Sequence, residues 1–547
     1  MARKWLTLTA VCTGVFMLLL DVTIVNVALP DIQADLGSSL SGLQWVIDAY
    51  ALTLAALLLT SGTIADIIGR RRVFASGIVV FTLGSLACGL APTIETLVAA
   101  RALQGVGGAI MFATSLALLA QAFAPKERGV AFGVFGAVTG VSVAVGPVLG
   151  GILTSGLSWH WIFFVNIPVG IGALVITAIG VDESKAPGAQ RIDWLGCLTF
   201  SAALAFLVFG LIRSHADGWG SVMVAGSLVL AAVLLVAFVV VERTVGYPMI
   251  DAALLRVPTF NGGLIAAWAI SASMFSVLTY LVIYLQTIMG YSALEAGLRF
   301  LPFSGVVFVA AGVAGRLSDL VPVRWLIGPG FVLVALGLWL MRGTDPTGSW
   351  TQLVPGFIVA GIGTGLINPP LASTAVGVVE PARAGMASGI NSTFRQIGIA
   401  TGVALLGSLL ASRFADQVGS ALQGGPLASR ADEIGRAVAD GEIARVAATV
   451  PAPLRPELFA DAGRGYANAL DLILGIAALV AIVAAVVTFL LIRSRDFHDE
   501  RGSGVDESSA AGGTQESASS RIGETSSPSA PVANRATTGT DSESASA

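Results

Sequence analysis

Charge is what this chain has least of. Of its 547 residues only 12% are charged, while 55% are hydrophobic; a soluble domain is typically about 25% charged. That balance excludes a soluble globular protein and points to an integral membrane protein. The apolar segments run without alternation, which excludes a barrel of strands that alternate over about ten residues. The fold class is therefore all-α.

Cysteine and lysine are scarce too. Cys12, Cys88 and Cys197 lie in apolar runs, with neither metal-ligand spacing nor a disulfide framework. They read as small buried hydrophobes. Lys4, Lys126 and Lys185 are the only lysines, and none follows a glycine. A Walker A sequence is therefore missing, and any uphill work must draw on an ion gradient. No nucleophile–base or metal-ligand cluster emerges, so neither an enzyme, a cofactor, a metal nor a nucleic-acid partner is expected. The net charge of −4 says little, because charge is partitioned by side of the membrane. Arg3 and Lys4 followed by apolar residues superficially resemble a signal peptide. The small-residue cleavage site is lacking and the run is too long, so an uncleaved first helix is expected.

What is present is a series of long apolar segments. A hydrocarbon core needs about twenty such residues per helix, and the chain offers about fourteen. They lie near 6–29, 43–64, 73–91, 96–120, 129–155, 161–181, 194–213, 221–242, 260–288, 296–317, 323–342, 350–372, 385–411 and 466–492. With a cytoplasmic N-terminus, the inner loops collect Arg70, Arg71, Arg72, Lys126, Arg128, Lys185, Arg191, Arg243, Arg256, Arg316, Arg324 and Arg383. The short outer loops hold almost no basic residues, with Arg213 and Arg342 at helix ends. This is the positive-inside pattern. It predicts a multi-pass protein of the cell membrane with both termini in the cytoplasm.

The chain also repeats itself. Leu97–Gly108 (LVAARALQGVGG) matches Leu353–Gly365 (LVPGFIVAGIGTG), and Gly62–Asp66 (GTIAD) matches Gly315–Asp319 (GRLSD). Pro125 and Gly129–Gly133 match Pro381 and Gly385–Gly389. Both copies have the same topology, which predicts parallel halves with a substrate path between them. The expected divisions are 1–185, a first six-helix bundle; 186–258, two linking spans that belong to neither half; 259–494, a second six-helix bundle with an extracellular connection at 412–465; and 495–547, a Ser- and Ala-rich cytoplasmic tail expected to be disordered.

Four motifs carry chemistry. In LDVTIVNVALP (Leu20–Pro30) Asp21 places a carboxylate inside the first span, at a cost of about 2.5–3.5 kcal/mol at a helix centre. An intramembrane acid is by default part of an ion or substrate pathway; the bland alternative is a structural ion pair. Asp21 lies roughly 24 Å above Lys4, and Arg101 in LVAARALQGVGG lies roughly 7.5 Å deep from the opposite face. The two depths agree, so an Asp21–Arg101 interaction is possible. In GTIADIIGRRRV (Gly62–Val73), Gly62 and Gly69 allow a tight turn and close helix approach. Asp66 can cap a helix or pair with Arg70, while Arg71 and its neighbours also serve as positive-inside anchors. In GVSVAVGPVLGG (Gly140–Gly151), Gly146, Gly150 and Gly151 allow close helix packing. Pro147 removes one backbone hydrogen bond and bends the helix.

Together these motifs resemble the major facilitator superfamily, specifically its fourteen-helix drug:proton antiporters, over about residues 5–492. The resemblance implies the major facilitator fold, two six-helix repeats plus two inserted helices, working as a monomer. It implies proton coupling at Asp21 and Arg101 and a latch at Gly62–Arg71 that forms and breaks during alternating access, with Ile67 where a basic residue is usual. For Gly146–Gly151 it implies export rather than uptake. Asp48, in the same outer layer, reads as a second proton site, a cation-attracting wall or a structural group. Arg395, Asn391 and Gln396 of NSTFRQIG are expected at the central cavity, with Tyr50 and Gln104. The partners expected are a small-molecule substrate, protons and the lipid bilayer. Two other functions stay open: an exporter dedicated to one metabolite, antibiotic, lipid or peptide, and a non-transporting membrane sensor or scaffold.

Overall fold

The computed structural model describes residues 2–38, 40–124, 127–185, 192–248, 250, 253–318, 320–380, 383–423, 426–439 and 443–497. Pro125, Lys126, Arg191, Asp319, Pro381 and the expected tail beyond Phe497 lie outside them. A bilayer core offers the backbone no water, so each crossing segment must satisfy its own peptide groups as a helix. Among the described residues every regular element is a helix.

The first half holds α1 (Ala2–Leu36), α2 (Leu40–Ile68), α3 (Arg70–Gly89), α4 (Ile94–Ala122), α5 (Arg128–Gly156), α6 (Trp161–Phe164) and α7 (Asn166–Gly180). Next come α8 (Trp194–Asp217) and α9 (Val222–Thr244). The second half runs through α10 (Pro258–Ile270), α11 (Ser276–Ile283), α12 (Ala293–Arg299), α13 (Leu301–Leu317), α14 (Arg324–Leu340), α15 (Val354–Gly377), α16 (Ala384–Leu422), α17 (Ala431–Ala439), α18 (Ile443–Thr449) and α19 (Arg455–Leu491). π-Helical turns at Ser271–Phe275 and Tyr284–Ile288 make α10, α11 and their surroundings one continuous rod.

Among the described residues, eleven helical segments are long and apolar enough to cross a membrane. The other three expected positions fall on α5, 29 residues long, and on the 17-residue α13 and α14, which rise only about 25 Å. The 161–181 span is α6 and α7 joined through Val165, whose helical dihedrals (φ −59°, ψ −28°) keep Trp161–Gly180 one crossing segment. The 412–465 connection is largely helical: the 39-residue α16 runs into it as far as Leu422, α17 and α18 lie within it, and α19 begins at Arg455. Phe414 and Tyr466 pack edge to face there, 5.4 Å between centroids.

The core divides by half. One apolar cluster draws only on residues 266–492; two others draw mainly on residues 8–181. Within each half the sequence repeat becomes the same packing device. Gly77 and Gly84 of α3 let α4 approach at Met111 and Gln104, and Gly330 and Gly337 of α14 let α15 approach at Ile367 and Ala360. Without side chains at these points the backbones come close, which is how membrane helices associate. The inserted α9 buries only Val224, Ser227, Ala231 and Phe238. That spacing is a single helical stripe, and α8 covers it. Val229, Val233, Val236 and Val240 of α9 stay exposed, an apolar face that suits lipid.

Candidate functional site

Asp21 is fully buried and Arg101 is 1% exposed. Arg101 sits on α4 and turns inward to α1, where its Nη1 donates to Asp21 Oδ2. Arg101 makes two more hydrogen bonds: Nη1 also donates to Gln104 Oε1 at 2.7 Å and Nε donates to the Val46 carbonyl of α2 at 3.0 Å. The Tyr50 ring lies 4.3 Å from the guanidinium carbon, within range of a cation–π attraction. Asp21 is equally occupied. Its Oδ1 accepts from Gln104 Nε2 at 2.8 Å and from Asn166 Nδ2 at 3.2 Å. Ser85 on α3 closes the ring, accepting from Gln104 and Asn166 and donating to the Phe163 carbonyl at 2.9 Å. Each charge is therefore both paired and hydrogen-bonded, the condition under which buried ions are tolerated.

This cluster joins α1, α2, α3, α4, α6 and α7. It gathers Tyr50 and Gln104, which the sequence reading assigns to the cavity. Gln104 follows Arg101 by three residues and so shares its helix face, while Tyr50 lies over the same guanidinium. Asn166 and Ser85 escape the sequence reading. The signal for Asn166 is a lone amide in the apolar run FFVNIP. Asp48 points elsewhere. Trp45, one turn before it, meets Phe209 of α8 with centroids 5.9 Å apart, and the charge acting on Asp48 is Arg213 of α8. It faces the inserted helices, not Asp21.

The Gly140–Gly151 segment lies in α5, directly against the turn that follows Asp21. A Cβ at Gly146 would meet Thr23, and one at Gly150 would meet the Ile24 carbonyl at 3.1 Å. Gly151 follows Gly150 half-buried on α5, and Pro147 lies in the same helix. Farther back on α5, Gly133, Gly136 and Gly140 face Ala311, Asn368 and Val307 of the second half. One helix thus touches both the carboxylate-bearing segment and the opposite bundle.

The arginine-rich ends of the two halves are closed on each other. At Gly62 a Cβ would strike the Gly385 carbonyl oxygen and come within 3.3 Å of Gly389 Cα. At Gly315 one would strike the Gly129 carbonyl oxygen and come within 3.1 Å of Gly133 Cα. The two crossings are copies of each other, as the GTIAD and GRLSD repeat implies. Asp66 locks the first. It pairs with Arg70 at 2.7 Å and accepts the Gly385 and Met386 N–H groups of α16 at 3.0 and 2.8 Å. A carboxylate at a helix N-terminus satisfies orphan donors and the helix dipole together. Glu183, unremarkable in the sequence, caps α3 in the same way through the Arg71 and Arg72 N–H groups at 3.1 and 3.3 Å. The turn between α2 and α3 needs Gly69, whose φ is 129°. Asp66→Asn keeps an acceptor but loses the charge, so Gly385 and Met386 amides should exchange with deuterium roughly tenfold faster; unchanged exchange would show that the carboxylate does not hold the halves together.

Between the halves, Arg395 and Asn391 of α16 line a cavity of about 20 Å³ with Phe112, Phe135, Thr139 and Asn368. Gln396, the next residue, is half-buried but does not line it. Tyr280 and Tyr284 are core residues of the second half, the first donating to the Val403 carbonyl and the second stacking on Tyr466.

The chain matches the family described as Major Facilitator Superfamily over residues 11–193 and 186–403. It is 39% identical over 408 residues to Multidrug resistance protein Stp of Mycobacterium tuberculosis, covering 74% of this chain and 76% of that one. It is 38% identical over 412 residues to Puromycin resistance protein pur8 of Streptomyces alboniger, covering 74% and 82%. The fold alone is shared with the human organic anion transporter MFSD10, at a TM-score of 0.59 and 13% identity over 89% of this chain and all of that one. Two glycine-crossed halves, a repeat that maps one crossing onto the other and these matches converge: this chain belongs to the Major Facilitator Superfamily.

Proposed function

We propose that the protein exports amphipathic small molecules across the cell membrane in exchange for protons, as a monomer that alternates access between two sides. The arginine-rich end, closed here, faces the cytoplasm together with both termini. The observation that carries this reading is the fully buried Asp21–Arg101 pair, set where six helices meet and pressed against α5.

Asp21 is the proton carrier. As a carboxylate it holds Arg101. A proton arriving from outside removes the charge that Arg101 pairs with and loosens α1 at Thr23 and Ile24. Gly146 and Gly150 of α5 bear on those two residues, while Gly133, Gly136 and Gly140 bear on the second half, so the change reaches the interface. The Asp66 cap on α16 then releases and the arginine-rich end opens. Cargo bound there favours return, and the proton leaves to the cytoplasm. Coupling needs proton and cargo to favour different states; a ligand indifferent to the two shifts nothing. A potential of 100 mV supplies about 2.3 kcal/mol per charge moved, enough to hold a roughly fiftyfold gradient.

Support comes from the charged groups, which concentrate in the first half: Phe357 stands in the second repeat where Arg101 stands in the first. Relatives named for multidrug and puromycin resistance fit the same reading. The test is efflux of a dye panel from cells producing the protein. Efflux should stop when a protonophore is added while ATP is maintained. Efflux that persists under the protonophore would exclude proton-driven export.

A further inference from the structure

Arg395 is a charged group for which proton coupling has no use. It lies half-buried on α16 at the seam between the halves. Arg70 has Asp66 and Arg101 has Asp21, but Arg395 has an amide: its Nη2 donates to Asn368 Oδ1 of α15 at 3.0 Å. Among the described residues no ion pair includes it and no charged group acts on it. Composition explains why. From α10 to α15 the helices carry a single acid, Glu295, in the short α12, and α16 carries only Asp416 near its far end. A cation inside a membrane protein is costly and normally finds a counter-charge; here the protein supplies none.

The neighbouring groups sharpen this. Asn391 precedes Arg395 by one helical turn and therefore shares its face. Asn391 is 1% exposed, and its Nδ2 has no hydrogen-bond partner among the described residues. A buried amide left without a partner costs about 1–3 kcal/mol. Both side chains line the same small cavity, which in this closed form has room for about one water. Two hydroxyls line it, Ser392 and Thr139, the latter turned to the Phe135 carbonyl at 2.9 Å. Among the described residues no carboxylate lines it, and the charged and unpartnered groups there are donors: the guanidinium N–H groups and the Asn391 Nδ2 amide. Across the seam, Phe112 and Phe135 stack with centroids 6.5 Å apart and planes 24° apart.

We propose that Arg395 and Asn391 form the anion-binding pole of the cargo site, taking a carboxylate or similar anionic group on an aromatic molecule whose body lies against Phe112 and Phe135. A planar guanidinium matches a carboxylate with two parallel hydrogen bonds, and the anion supplies the counter-charge that the fold withholds. Donors come from the second half and the aromatic wall from the first, so a molecule bound in this way bridges the bundles. This assignment rests on the export reading and names its substrate class.

The experiment is equilibrium binding to the purified full-length protein, read by fluorescence anisotropy without any gradient. The probes are carboxyfluorescein, an anionic aromatic dye, and ethidium, a cationic one. Wild type should bind carboxyfluorescein at least about tenfold more tightly than Arg395→Gln. Arg395→Lys should recover part of that loss. Asn391→Asp leaves Arg395 in place but sets a carboxylate beside it, and should also weaken carboxyfluorescein about tenfold through pairing with Arg395. Ethidium should bind no more weakly to the variants than to wild type. Failure of wild type to bind carboxyfluorescein, equal affinity in wild type and Asn391→Asp, or parallel loss of both dyes would overturn the proposal. Proton-coupled export is read separately, by gradient-driven uptake in vesicles, and can fail or stand without it.

Discussion

Asp21→Asn should abolish proton-driven accumulation of cargo in vesicles while cargo-for-cargo exchange without a gradient continues. Asparagine has the same shape and can still meet Gln104, but it never carries a charge and cannot take up and release the proton. The fall in uphill transport should be at least about a hundredfold, the size expected when the coupling ion loses its site rather than its affinity. Arg101→Ala should be at least as damaging. It leaves a buried carboxylate without its guanidinium, and breaking one side of a buried pair costs about 3–5 kcal/mol. Production and thermal stability should therefore drop for Arg101→Ala more than for Asp21→Asn. The double variant should be no worse than the worse single, since contacting residues are not additive. Additive losses would mean the two act separately, and normal uphill transport by Asp21→Asn would exclude Asp21 as the carrier.

The second large effect belongs to the arginine-rich seal. Gly62→Val puts atoms into the Gly385 carbonyl, and Gly315→Val does the same at Gly129. Both obstacles are backbone, so no side chain can turn aside. Overpacking costs about 1–3 kcal/mol per site, or roughly five- to 150-fold in the closing equilibrium. With both changes the protein should rest open at this end and transport should collapse, while the bundles themselves stay folded. Ser388 of α16 is fully buried near this crossing. A Ser388→Cys reporter should be silent to a membrane-impermeant maleimide in the otherwise unchanged protein and reactive in the double valine variant. A reporter equally silent in both would show that the glycines do not set the seal.

Much of this is legible in the sequence because membrane chemistry is restrictive. A charge inside a span is costly and calls for a partner, and matching depth along α1 and α4 makes Asp21 and Arg101 candidates for each other, though depth does not show that they touch. The repeat of GTIAD in GRLSD foretells two matching crossings. What the sequence does not yield is rotation about each helix axis. Asp48 and Tyr50 are two residues apart, yet one faces α8 and the other covers Arg101. Gln104 reads toward the cavity because a glutamine in a span attracts no specific partner until Asp21 and Ser85 are seen beside it. Asn166 is hidden because its amide gains a role only once α7 sets it beside Asp21 and Ser85. Glu183 lies in a connection whose partner, the start of α3, is over a hundred residues away. The 412–465 segment shows helix-like stretches such as ADEIGRAVA in its sequence, but hydropathy does not show that α16 and α19 themselves run into it.

Proton movement driven by cargo tests the central claim most directly. Vesicles carrying the purified protein would be loaded with a transported dye, with no pH difference imposed, and external pH followed as the dye leaves. The account predicts that protons enter as cargo exits in wild type, and that Asp21→Asn releases dye without any proton entry. Dye leaving wild-type vesicles with no proton moving against it, or equal proton entry in Asp21→Asn, would contradict the account.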